Sequence, residues 1–138
     1  MLRLGKDVSA AIQAVNKARS LPQPIKEEEF LTIASVINGS VVGASKLLHF
    51  ICPVKYAIWD SRVYRFIFEE EPYQYRLEAP LIYREYLNAL RVIVSSSSFA
   101  RTKDAVEKAV GYRVTDLRAC ELIMFANGKA QKKNTEQI

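Results

Sequence analysis

A single histidine, two cysteines and no Cys-x-x-Cys spacing leave this chain almost nothing from which to assemble a zinc site. Cys52 and Cys120 each stand inside an apolar segment, which suits reduced thiols serving as small core hydrophobes better than nucleophiles. No apolar run approaches the ~20 residues that a membrane-spanning helix needs, because Lys, His, Arg or Ser recurs every few positions. The opening stretch, Met1-Leu2-Arg3-Leu4-Gly5-Lys6-Asp7, lacks the apolar centre of a signal peptide. The expectation is a cytoplasmic chain with no metal, no cofactor and no membrane contact. Glycine and proline are also scarce, five of each, so each one marks a boundary worth reading.

What is present is ordinary for a folded domain: 138 residues, 49% hydrophobic and 25% charged. The net charge of +5 is a mild basic excess, spread along the chain with a small cluster at Lys129, Lys132 and Lys133. It is compatible with a polyanionic partner and does not require one.

Helical periodicity dominates the pattern. Val8, Ile12 and Val15, with Ala11 and Ala18 beside them, predict an amphipathic helix from about Lys6 to Ser20, stopped by Leu21-Pro22-Gln23-Pro24. Glu27-Glu28-Glu29 place carboxylates at the positive end of a second helix whose inner stripe is Phe30, Ile33, Ala34 and Ile37. After the turn at Asn38-Gly39-Ser40 comes a mostly apolar, hence central, helix from about Val42 to Ile51. Tyr56-Ala57-Ile58-Trp59 reads as extended, and Asp60 as the N-cap of a helix reaching about Glu70. A longer helix from about Ala79 to Val94 should turn Leu81, Tyr83, Leu87, Leu90 and Val94 inward, with Pro80 tolerated in its first turn. Thr102 is expected to cap a short helix ending at Gly111, and Thr115 a last one over Asp116 to Ala126 with Leu117, Cys120, Ile123 and Met124 inward. The sum is an all-α, compact single domain of about seven helices over residues 1–127, followed by a polar, flexible tail over 128–138.

A few residues could carry chemistry. Lys46 opens an apolar helix, and a lysine amine set against Leu47, Leu48, Phe50 and Ile51 can become a nucleophile once it loses its proton. Taken alone it is a solvated lysine in a first helical turn. Asp60 can stabilise positive charge developing on a sugar, and it is equally an ordinary N-cap. The Gly39-Ser40-Val41-Val42-Gly43 turn can bring backbone amides against a phosphate, or simply join two helices. Arg62 and Arg65 lie one turn apart and suit either phosphates or the Glu69 to Glu71 cluster. His49, three residues after Lys46, is a candidate accessory group or a rim residue. Tyr56, Trp59 and Tyr64 could stack on an extruded base or fill the core.

Taken together these residues resemble the helix-hairpin-helix DNA glycosylase superfamily, in particular its 8-oxoguanine DNA glycosylase-like branch. Val42-Gly43-Ala44-Ser45-Lys46-Leu47-Leu48 is similar to that family's hairpin exit and catalytic lysine, and Ala57-Ile58-Trp59-Asp60-Ser61-Arg62-Val63 to its aspartate motif. The likeness covers roughly residues 30 to 70. It implies that Lys46 is a Schiff-base nucleophile, that Asp60 is its transition-state partner, and that Gly39, Ser40, Gly43 and Ser45 with Arg62 and Arg65 hold DNA. The chain departs from the pattern in three ways: a shorter Lys-to-Asp connection, a looser glycine hairpin, and little material for a base pocket or wedge. A DNA glycosylase/lyase is therefore weighed against an inactive binding or protein-interaction module on the same scaffold, as would serve in phage–host conflict.

Overall fold

The periodic segments become eight helices in the computed structural model, which describes residues 8–128. They are α1 (Val8–Ser20), α2 (Glu27–Ser35), α3 (Val41–Ile51), α4 (Ser61–Phe68), α5 (Gln74–Leu77), α6 (Pro80–Val94), α7 (Phe99–Val110) and α8 (Asp116–Asn127). No strand occurs among the described residues. The expected start of the first helix at Lys6 and the tail carrying Lys129, Lys132 and Lys133 lie outside them. No helix among the described residues is long and apolar enough to cross a membrane.

Helices α1, α2 and α3 pack on one another, α8 gathers α4, α6 and α7, and α6 also packs on α2 to join the two groups. Sequence and structure agree at the caps of α4 and α8 and at the end of α7. The Asp60 carboxylate accepts from the backbone N–H groups of Arg62 and Val63 at 3.0 and 3.1 Å, and the Thr115 hydroxyl from that of Arg118 at 3.2 Å. Gly111 ends α7 at φ 84°, in the left-handed region that favours glycine.

Four expectations need correction. Helix α7 begins at Phe99, which is buried and anchors its first turn, so Thr102 lies inside the helix rather than at its cap. Helix α1 packs by its alanine face, Ala11, Ala14 and Ala18, which lets the neighbouring backbones approach closely, while Val8 and Ile12 are exposed. Leu81 is 53% exposed, because the inner face of α6 runs through Tyr83, Tyr86, Leu87 and Leu90 instead. The short helix α5 raises the number to eight; at four residues it is too brief to produce a periodic signal.

Between α3 and α4 the chain runs extended through the core, with Tyr56, Ala57 and Trp59 at most 1% exposed. Buried backbone without a ladder partner must find its hydrogen bonds among side chains. Two helices supply them. The Tyr83 and Tyr86 hydroxyls of α6 donate to the carbonyls of Ala57 and Ile58 at 2.9 and 3.0 Å. From α3, His49 Nδ1 lies 2.8 Å from the Tyr56 carbonyl, while Ser45 Oγ accepts from the Trp59 N–H at 3.0 Å and reaches its carbonyl at 3.1 Å. From α8, the buried Glu121 carboxyl faces the Ile58 N–H closely enough for that group to favour its charged form.

Candidate functional site

Lys46 and Asp60 are held by what precedes each of them. Ser45 and Trp59 form the bonded pair just described, both fully buried, so the two candidate residues follow directly from one shared anchor. Lys46 emerges exposed on α3, and Asp60 is half-buried at the head of α4. Among the described residues the two make no ion pair within 4.0 Å. One Asp60 oxygen, Oδ1, is committed to the amides of α4; the other makes no hydrogen bond among the described residues.

The glycine turn is shaped as a hairpin between α2 and α3. Asn38 and Gly39 both take positive φ, 54° and 69°, which reverses the chain. Gly43 is required by crowding, since a Cβ there would lie 2.8 Å from Ile37 Cγ2. The amides expected to face a phosphate already have acceptors. The Glu78 carboxylate receives the N–H groups of Val41 and Val42 and the Ser40 hydroxyl, and Ser40 Oγ in turn caps Gly43 N–H at 2.9 Å. Glu78 stands where a bound anion would stand, immediately after α5.

The remaining candidates divide. Arg62 is exposed. Arg65 is tied inward, its Nε donating to the Gly128 carbonyl at 2.9 Å and its guanidinium reaching Glu71 at 3.3 Å. Tyr56 and Trp59 are enclosed: the Tyr56 hydroxyl accepts from the Ile25 N–H at 3.1 Å, and the Trp59 indole donates to the Leu77 carbonyl at 2.7 Å. In this conformation neither ring has a free face for a base. Tyr64 is likewise buried, edge-on to Trp59.

Comparison with protein-family models, curated proteins and solved structures finds no match to this chain.

The site's geometry includes a group the sequence reading passed over. Glu121 on α8 is fully buried, with Oε2 3.2 Å from the Arg118 guanidinium and Oε1 3.1 Å from His49 Nδ1. Oε1 has no hydrogen bond of its own, since the histidine nitrogen is directed at the Tyr56 carbonyl. Burial pushes the carboxyl up to about 7, against the opposing pull of Arg118 and the Ile58 N–H, and the Asp60 charge adds to the rise. Burial also lowers His49, and the Arg118 charge works in the same direction. Both members of the pair are thus biased toward their neutral forms behind Asp60. A signal for Glu121 was present: it falls on the stripe Leu117, Cys120, Glu121 and Met124, at the i, i+3, i+4, i+7 spacing of a buried face. Cys120 beside it is a core thiol, pushed up to about 11 by burial. Among the described residues no cluster of three or more His, Cys, Asp or Glu could hold a metal.

Proposed function

We propose that this chain is a DNA-binding protein resembling the helix-hairpin-helix base-excision glycosylase/lyases, with Lys46 as nucleophile and Asp60 as its electrostatic partner. The observation that supports it is the Ser45–Trp59 anchor, which fixes the lysine-bearing turn of α3 against the aspartate-bearing start of α4. In the proposed step the deprotonated Lys46 Nζ forms a bond to the sugar C1′ as the glycosidic bond breaks. The base leaves with the bonding electron pair and takes up a proton. Asp60 stabilises the positive charge on the sugar, and ring opening then yields an iminium. An exposed Lys46 is accessible to a duplex, and a capping Asp60 is a rigid one.

The test is borohydride trapping with duplexes containing an abasic site or 8-oxoguanine. A covalent adduct that disappears in Lys46→Gln supports the reading, and no adduct with either duplex counts against it.

A second reading is favoured by one observation, the closure of the α3 amides by Glu78. On it, the same scaffold binds DNA without chemistry. Salt-dependent affinity for DNA then survives Lys46→Gln, and Arg62→Ala reduces the salt slope.

A further inference from the structure

Away from Lys46, at the opposite end of the extended segment, a cleft of about 280 Å³ opens between the turn after α3, the last turns of α6, and the junction of α7 with α8. Its charged lining is Lys55, Arg91, Lys103 and Asp116, set among apolar atoms of Val94 and Leu117. Three cations against one carboxylate leave a surplus of two positive charges in a concave space, an arrangement that concentrates field and attracts anions.

The commitments of these groups differ. Lys55, which lines the cleft, has its Nζ held by the carbonyls of Ala18 and Leu21 at the end of α1, so it contributes long-range positive charge with its donors already committed. Lys103 pairs with Asp116 at 3.0 Å. Arg91 is half-buried, and its guanidinium has neither a hydrogen bond nor an ion pair among the described residues. Its charge is close enough to the Tyr56 hydroxyl to oppose the rise that burial causes there. A half-buried guanidinium carries five donors in a rigid fork and loses water without gaining an acceptor. The amides of Asp116 and Leu117, at the positive end of α8, also lack acceptors among the described residues, since Thr115 caps only Arg118.

We propose that this cleft is a phosphate-binding site in which the Arg91 guanidinium takes the oxyanion, Lys55 and Lys103 balance its charge, and Asp116 competes with it for Lys103. A tetrahedral oxyanion with several acceptors matches a fork and two point charges better than a single carboxylate does. The site is independent of the Lys46 chemistry. The phosphate can belong to a small phosphorylated molecule or to a nucleic-acid backbone, and the concave shape favours the small molecule.

The experiment is a titration of the ¹⁵N-labelled full chain with pyrophosphate, followed by a short duplex DNA. Pyrophosphate is expected to shift the amides of Val54, Lys55, Asp116 and Leu117 in a saturable way. Arg91→Gln should weaken its binding about tenfold, the loss expected for one charge-assisted contact. Asp116→Asn, at a side chain 52% exposed and so tolerant of exchange, should strengthen it by releasing Lys103. If Arg91→Gln weakens pyrophosphate but leaves duplex affinity unchanged, the ligand is a small phosphorylated molecule; if it weakens both and pyrophosphate displaces the duplex, the ligand is the backbone. Absence of shifts at these amides at millimolar pyrophosphate overturns the proposal. So does equal affinity in the wild type and in the Asp116→Asn chain, a result that no folding defect of Arg91→Gln can imitate.

Discussion

The Ser45 hydroxyl accepts from the Trp59 N–H at 3.0 Å, its one proton lying between the Val42 carbonyl at 2.7 Å and the Trp59 carbonyl at 3.1 Å, with no part of Ser45 exposed to water. One small side chain thus takes the place of a strand neighbour. Ser45→Ala strands a buried N–H and should lower stability by about 1–3 kcal/mol, the penalty for a buried donor left unpaired. Urea unfolding followed by tryptophan fluorescence, with Trp59 as its sole reporter, measures this directly. An unchanged midpoint would mean that the bond contributes nothing.

Asp60 carries two roles that substitution separates. Asn is as good an N-cap as Asp but has no charge, whereas Ala loses the cap at about 1 kcal/mol. Asp60→Asn should therefore melt close to the wild type while losing any trapped adduct with abasic DNA. Asp60→Ala should lose both. A fully active Asp60→Asn chain would remove the carboxylate from the mechanism.

Glu121 gives stability a particular pH dependence. Its carboxyl titrates near 7 when folded instead of 4.5, so between those values the folded chain keeps a proton that the unfolded chain has lost. Stability linked to that proton is whole below about 4.5 and is lost as pH rises through about 7. His49 acts in the opposite sense: its lowered folded pKa means that stability falls as pH drops below the ordinary 6.5. Glu121→Gln deletes the first effect and keeps the second. Its stability relative to wild type should climb between those limits by at most about 3 kcal/mol, read from denaturant melts at several pH values. A flat difference across the window would show that the buried carboxyl does not titrate there.

Glu78 neutralises the positive end of α3 from within the chain. Glu78→Gln removes that charge while retaining a hydrogen-bonding side chain, and should lower stability by about 1 kcal/mol. The same change frees charge complementarity for a phosphate, so duplex affinity at low salt should rise. Unchanged affinity would place DNA elsewhere on the surface.

The sequence was most informative where a local physical rule decides the outcome. Asp60, Thr115 and Gly111 end or begin helices because a short acceptor or a left-handed residue is needed there, and each was readable. Phe99 took the start of α7 because a buried ring outweighs a good capping residue three positions later. On α1, Ala11 and Ala18 were read as companions of Val8 and Ile12, whereas the alanines are the packed face and the larger residues are exposed. At the site, Lys46 and Asp60 stood out by order and spacing. Glu121 and Glu78 did not, because a glutamate on a helix or beside a loop looks solvated until the fold shows what surrounds it. Arg91 was invisible for the same reason: its lack of a partner belongs to three dimensions.

The extended segment from Tyr56 to Trp59 has one more implication. In a helical protein the slowest-exchanging amides usually sit in helix centres, protected by bonds four residues away. Here the Trp59 amide is protected by a hydroxyl on α3, while the carbonyls of Ala57 and Ile58 beside it are held by α6. Because Trp59 is fully buried, water reaches that amide only when α3 and the extended segment separate. A single non-helical hydrogen therefore reports the parting of α3 from the segment, and fraying at a helix end would leave it untouched.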